Sequence, residues 1–378
     1  MRCRVVILNN EIIPYRIPLF AALSSLDGMD LHVLYSARRS WERLWRFSAE
    51  ALPFPYVVLP GFSIRLRKPR YREWRTLYVN PTLLGHLFRL KPDVVVGYEY
   101  SLPALTGLVY SRWRHCGYVT WSECTARSDR GLSRGQRFAR RIIVPRANAY
   151  VGTSLAACAR LQDLGARPDR IYETPQCHDV RLLSERAQLA QASLGPHPPT
   201  VLFVGSLTLR KGVSLLLEAF ERVAGEMPQA RLVVAGAGPL RAALEGQASR
   251  GSCRGRVEFL GFVQPDRLPE VLARADVLVL PSLEDTFGVV VVEAWASGIA
   301  VVCTKYAGVS DYVTSGKDGF VVDPEQTEEM AGRILALLRE PKLRSAFAAS
   351  GKTMAEHFDA QEVAERFGSA IAVAWQAR

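Results

Sequence analysis

The chain has 378 residues, 48% apolar and 22% charged, with a net charge of +11. That length exceeds one ordinary domain and fits two, and the composition excludes global disorder. No apolar stretch approaches the roughly 20 residues of a membrane span, and seven scattered cysteines without a CxxC pair point away from a zinc site or a disulfide framework.

The amino terminus, MRCRVVILNNEIIPYR, has an apolar run of four residues, Val5 to Leu8, too short for a secretory signal. A cytoplasmic protein is expected, with peripheral attachment to the cytosolic face of a membrane as an option. That run predicts a first strand. The loop NNEIIPYRIP follows, then a helix through LFAALSSL and a strand at LHVLY, a β-α-β start. DVVVG (93–97), GYVTW (117–121) and AYVG (149–152) predict further buried parallel strands. The segment Ser63 to Arg75 is too rich in Arg and Lys for a core, with Tyr71 and Trp74 interleaved. Residues 187–200, with Gly195, Pro196, Pro198 and Pro199 clustered, predict the interdomain link.

A second alternation then begins. Strands are predicted at 201–204, 231–235, 257–260, 277–280 and 300–303. Helices are predicted at 213–224, 240–248, 265–273 and 290–297. Amphipathic helices follow over 327–338 and over the last twenty residues. The fold class is α/β, with two Rossmann-like domains facing each other across a cleft, where ligands meet the carboxyl ends of the strands. The expected division is 1–190, then 191–355, then a terminal helix over 356–378 that returns toward the first domain.

Charge separates the halves. Residues 1–186 hold 29 Lys and Arg against 15 Asp and Glu, and the remainder holds 19 against 22. A one-sided basic excess points to an anionic partner, whether bilayer surface, lipid phosphate or nucleic acid, and a merely solvated face is the alternative.

The most informative stretch is PSLEDTFGVVVVEAWASGIAVV, Pro281 to Val302. An apolar strand stops at Pro281, and an acidic loop holds Glu284 and Asp285. Phe287-Gly288 turns into a short helix carrying Glu293, and Gly298 ends it. A helix that begins in a pocket offers free N–H groups to a phosphate. Acids on either side could hold hydroxyls, the layout a nucleotide sugar requires. In VLFVGSLTLRKGVSLLLEAF, Gly205 permits a tight exit from a strand, and Arg210 and Lys211 open the next helix, placed to stabilise a departing diphosphate. VVAGAGPL carries a GxG with Gly238, but Arg241 stands where a dinucleotide fingerprint needs its third glycine. VEFLGFVQPDRL contributes Gly261-Phe262 as a loop whose backbone can pair a base.

These segments, in this order, resemble the retaining glycosyltransferases of family 4, which have the GT-B fold. The acidic stretch resembles their E-x7-E element, with Glu293 as the second acid. Registered on Phe287-Gly288, the first acid falls on Asp285, with Glu284 beside it. The resemblance implies that Glu293 binds ribose hydroxyls, that Lys211 binds the donor diphosphate, and that Gly205, Ser206, Gly238, Phe262, Phe287 and Gly288 lie on the donor side. Ser206 stands where the family has an Arg, which leaves Arg210 to supply the second charge. AGVSDYVTSGKDGFVVDP resembles the end of the family's donor domain.

In the first half, NNEIIPYRIPLF resembles a variant of the acceptor loop. Glu11 and Arg16 are its candidates, and capping of the first helix is an equal alternative. TWSECT places Glu123 at a cleft position where many relatives carry a His. The implied reaction is transfer from a nucleoside diphosphate sugar by front-face attack, with no cofactor, no metal and no side-chain nucleophile. The expected acceptor is lipid-linked or a saccharide, in polysaccharide, lipopolysaccharide or glycolipid assembly, at an anionic membrane surface suited to Trp41, Trp45, Tyr71 and Trp74 among arginines. Nucleic acid is not expected as a partner. A nucleotide-sugar epimerase and a non-catalytic anion or nucleic-acid binder are the rival readings.

Overall fold

Strands that are buried on both faces read as unbroken apolar runs, and here those runs form two parallel sheets. A computed structural model of the chain describes residues 2–39, 44–45, 52–67, 71 and 74–377. It divides into Met1–Cys177 with Ala360–Arg378, and His178–Asp359. Trp41, Lys68, Arg70 and Arg72 lie outside the described residues. No helix among the described residues is long and apolar enough to cross a membrane.

The first unit holds β1 (Cys3–Glu11), β2 (Met29–Ala37), β3 (Tyr56–Val58), β4 (Phe62–Arg67), β5 (Trp74–Val79), β6 (Val94–Tyr98), β7 (Gly117–Ser122), β8 (Ala149–Gly152) and β9 (Ile171–Glu173). Seven of them form a sheet in the order β3-β2-β1-β6-β7-β8-β9, while β4 and β5 pair as a separate antiparallel hairpin. β1 is longer than its apolar run, because pairing with β2 continues from Cys3–Met29 to Glu11–Ala37. Asn9 and Glu11 are thereby carried onto the strand's carboxyl end. Of the basic segment Ser63 to Arg75, expected to lie outside the core, residues 63–67 and 74–75 belong to this hairpin.

The carboxyl-terminal helix, Ala360–Gln376, belongs to the first unit. Val363, Ala364, Phe367, Ala370, Ile371 and Ala374 recur at helical spacing and are buried with Phe20 and Trp121. Phe367 meets the Trp121 ring edge-on at 5.3 Å. Truncating an aromatic at such a position costs roughly 3–5 kcal/mol. Gly117 of β7 is what admits the helix, since a Cβ there would stand 2.4 Å from the Ala374 carbonyl oxygen.

The second unit holds β10 (Thr200–Val204), β11 (Arg231–Ala235), β12 (Val257–Gly261), β13 (Val277–Leu280), β14 (Ala300–Thr304) and β15 (Phe320–Val322), in the order β12-β11-β10-β13-β14-β15. Its strands feed two cores by simple alternation. Val201 and Phe203 face one core with Val277 and Val279, while Leu202 faces the other with Leu278 and Leu280. The helix Val290–Ala296 is buried along its whole length, which accounts for its nearly unbroken apolar sequence.

The boundary falls earlier than residues 190/191. The helix Val180–Ala192, capped by the Asp179 side chain, packs Val180 and Leu183 into the core of the second unit. The Gly/Pro cluster at 195–199 is a turn into β10 inside that unit. Composition marks the turn but carries no record of which core the preceding helix joins. A sixteen-residue helix, Pro341–Glu356, was also not foreseen.

In both units strand order reverses beside the first strand, at β1/β6 and at β10/β13. Loops leaving such a pair of strands diverge to opposite faces and open a crevice at their carboxyl ends.

Candidate active site

At the β10/β13 crevice two loops are bound together. Gly212 has φ of +67°, and a Cβ there would lie 2.0 Å from the Pro281 carbonyl oxygen, so only glycine fits both the backbone and the space. Leu283 N–H donates to the Arg210 carbonyl at 2.8 Å, and the Arg210 guanidinium donates to the Glu284 carbonyl at 2.9 Å. Lys211 Nζ then donates to Asp285 Oδ2 at 2.5 Å. Asp285 is 8% exposed. Burial alone would raise its carboxyl, but the Lys211 and Arg210 charges outweigh burial and hold it below the usual range.

Glu293 stands one helix further on. Gly288, with φ of +95°, makes the entry turn against Leu280 and Val309. Glu293 is buried, with Oε1 3.5 Å from His178 Nε2. Burial pushes its carboxyl up, and His178 opposes the shift. His178 is held in turn by its N–H donating to the Phe358 carbonyl at 3.1 Å. The helix bearing Glu293 has only seven residues, so little helix dipole is available at its start.

The remaining donor-side candidates divide by environment. The Phe287 side chain is fully buried among Tyr312 and Phe358, so only its backbone is available to a ligand. Gly238 lets the Leu207 backbone pass, since a Cβ would meet the Leu207 carbonyl oxygen at 2.4 Å. Gly205 is half-buried and Ser206 exposed on the loop after β10. Phe262 lines a groove of about 310 Å³ with Leu260, Val263, Arg267 and Arg274, and Lys211, Asp285 and Glu293 are not among its walls.

At the β1/β6 crevice of the first unit, Arg16 and Glu123 pair with each other. The Arg16 guanidinium donates to Glu123 Oε1 at 2.6 Å and to Asn9 Oδ1 at 2.9 Å, and lies 4.0 Å from the Tyr98 ring centroid. The two side chains therefore neutralise each other at this crevice. Glu11 is buried at the end of β1. Glu99, in the left-handed region at φ of +55°, accepts from Glu123 N–H at 2.6 Å, and burial followed by the Glu123 charge raises its carboxyl. Its own N–H donates to the Trp121 carbonyl at 2.7 Å, and Cys124 Sγ donates to its Oε2 at 2.9 Å, which holds this strained residue in place.

Residues 185–354 match the family described as Glycosyl transferases group 1. Over that segment the chain is similar to the group 1 glycosyltransferases. An uncharacterized glycosyltransferase of Methanocaldococcus jannaschii is 37% identical over 131 residues, 35% of this chain and 33% of its own length. A D-inositol 3-phosphate glycosyltransferase of Rhodococcus opacus (strain B4) is 33% identical over 211 residues, covering 53% of this chain and 47% of the relative. The match thus spans a third to a half of the length of these curated relatives. The structure of Anabaena HepE in complex with UDP is similar over 98% of this chain and all of its own, with a TM-score of 0.78 at 20% identity. At that identity the likeness carries the fold, which is GT-B with two Rossmann-like domains.

The group 1 match encloses Lys211, Asp285 and Glu293, and leaves Arg16, Glu123 and His178 outside it. His178 was missed in the sequence because a lone histidine in QCHDV has no periodic or motif context. Its meaning arises only from the approach of Glu293, 115 residues later. Glu99 was missed for a similar reason, as a polar residue just past an apolar strand that reads as an ordinary loop.

Proposed function

We propose that this chain is a retaining glycosyltransferase that moves a sugar from a nucleoside diphosphate sugar to a lipid-linked or saccharide acceptor in cell-surface polysaccharide, lipopolysaccharide or glycolipid assembly. The observation that carries this reading is the Lys211–Asp285 pair at the β10/β13 crevice, with Arg210 beside it and Glu293 on the next helix. The transition state has oxocarbenium character, and negative charge builds on the departing diphosphate. Lys211 and Arg210 meet that charge. Asp285 aims the Lys211 ammonium and accepts from sugar hydroxyls, and Glu293 accepts from the ribose. The bond from the anomeric carbon to the phosphate oxygen breaks, the bond to the acceptor oxygen forms on the same face, and the acceptor proton passes to a phosphate oxygen. The basic first half lies toward an anionic membrane surface that presents the acceptor.

HepE has been crystallised with UDP and glucose, which makes uridine donors the first to try. The test is a thermal-shift screen of nucleotide sugars, where a donor at a hundred times its dissociation constant stabilises by about 2.7 kcal/mol. Acceptor-dependent release of free nucleoside diphosphate then separates transfer from epimerisation. No stabilisation by any nucleotide sugar would remove the donor reading.

Glu293→Gln is expected to weaken donor binding roughly tenfold, because a carboxylate accepting two hydroxyls makes charge-assisted bonds that an amide halves. The apo protein should melt no lower, and at pH 8 higher. The folded carboxyl is raised by burial, so the native state binds its proton more tightly than the unfolded chain. The resulting penalty is present above the folded value and fades as pH falls toward the unfolded value, about 4.3. Titration calorimetry and melts between pH 5 and 8 check both, and an unchanged donor affinity takes Glu293 out of the site.

A further inference from the structure

We propose that His178 is the positioning residue of Glu293, its ring holding the Glu293 carboxylate in the orientation and the ionised state that nucleotide binding needs. This role rests on the donor reading and adds to it a residue outside the segment that matches the group 1 family. Glu293 is 8% exposed. Among the described residues His178 is the one charged or hydrogen-bonding side chain at its carboxylate, with Nε2 3.5 Å from Oε1. Buried carboxylates are ordinarily well supplied with donors. The terminal torsion of a glutamate is broad, so a carboxylate held by nothing sweeps its plane.

His178 is fixed from several sides. Its backbone N–H donates to the Phe358 carbonyl at 3.1 Å, and it pairs with Asp359 in an isolated bridge. Asp179, next in the chain, accepts from Leu182 N–H at 3.0 Å and caps the helix Val180–Ala192. The Phe358 ring packs on Phe287 and Trp295, with centroids 5.9 and 6.1 Å away, and these two residues flank Glu293 in the chain. At the far end of the capped helix the Gln191 amide donates to the Ser297 carbonyl at 3.1 Å. Acid and imidazole therefore belong to one packed block within the second unit, and the block sets their approach.

The ring has one favourable place for its proton. Nδ1 is buried and has no partner among the described residues. A proton there would be a donor without an acceptor, and the lone pair on Nε2 would then face the carboxylate. The tautomer protonated at Nε2 turns its N–H toward Glu293 Oε1 instead. Such contacts are often long until a ligand closes the site. The N–H occupies one lone pair and leaves the others to ribose hydroxyls. It also opposes burial, which drives the carboxyl toward its protonated, poorer accepting form.

The test is titration calorimetry of the full chain with UDP, GDP and ADP, the tightest being carried forward. His178→Gln, His178→Asn, Glu293→Gln and the double variant His178→Asn/Glu293→Gln are compared, with melting curves to verify folding. A glutamine amide reaches about as far as the imidazole Nε2, whereas an asparagine amide stops near Nδ1. His178→Asn should therefore weaken binding about tenfold and His178→Gln less than about threefold. The double variant should bind no worse than Glu293→Gln, because without the acid His178 has nothing to hold. Independent roles would instead multiply to about a hundredfold. A nitrogen NMR spectrum of histidine-labelled wild type reads the tautomer without any substitution and should show His178 protonated at Nε2. Unchanged binding by His178→Asn, a multiplied loss in the double variant, or a proton on Nδ1 would each overturn the proposal. If wild type binds none of the three nucleotides, the donor reading fails and this role falls with it. If it binds one and Glu293→Gln binds equally well, this role alone fails, and Lys211 and Asp285 keep theirs.

Discussion

Lys211→Ala should lower turnover about 100-fold or more at saturating donor, while donor affinity falls much less. The departing diphosphate carries more charge in the transition state than in the bound donor, so a cation at that position acts mainly on rate. Near-normal turnover would exclude Lys211 from the leaving-group side. A second effect separates this role from general damage. Lys211 Nζ lies 2.5 Å from Asp285 Oδ2, and the lysine side chain is only 16% exposed. Removing one member of a buried pair leaves an uncompensated charge and costs about 3–5 kcal/mol.

The sign of the pH dependence follows from the same contact. In the wild type the Asp285 carboxyl is held low in spite of burial, so its contribution to stability is present above the unfolded value, about 3.9, and is lost as pH falls through the folded value. Without Lys211 the burial effect is no longer outweighed, and the carboxyl rises. The variant should therefore melt well below the wild type at pH 8, and the gap should narrow on acidification. Melts at several pH values, alongside steady-state kinetics with varied donor, measure both effects. A gap that stays constant with pH would mean that Asp285 does not depend on this lysine.

Asp285→Ala should abolish transfer, and Glu284→Ala should retain most of it. The two acids are adjacent, but the loop presents them differently. Asp285 is 8% exposed and faces the ammonium, with Ser282 Oγ 3.5 Å from the same carboxylate oxygen. Its N–H donates to the Tyr306 carbonyl at 3.0 Å, which pins the backbone. Glu284 is half-buried, and its carbonyl takes the Arg210 guanidinium. Losing Asp285 removes the carboxylate that holds the Lys211 ammonium and an acceptor for sugar hydroxyls. Turnover of the purified variants decides the matter, with donor-induced thermal shift as the check on folding. Equal loss in both variants, or loss only in Glu284→Ala, would overturn the assignment.

Much of the second unit was legible because its signals are local. The strands 231–235 and 277–280 end where Gly, Pro or a polar loop follows an apolar run, and they occur at those residues. The spacing of Asp285, Phe287, Gly288 and Glu293 sits within one loop and one short helix, so it survives in the linear order. The first unit was less legible. Its pairings join residues far apart, as with Arg16 and Glu123, which meet across 107 positions.

The sequence by itself determined the alternation of strands and helices, the α/β class, the basic first half and the segment that carries the acids. Each of these follows from periodicity, turn chemistry or composition within a short window. Only the tertiary structure decided that Asp285 meets Lys211, that His178 stands against Glu293, and that Arg16 and Glu123 neutralise each other. It alone decided that the second unit begins at His178 and that Phe62–Arg67 pairs with Trp74–Val79 as a separate hairpin. The physical reason is that strand order and helix packing set which loops share a crevice. Those are properties of burial among distant segments, and no local run of residues records them.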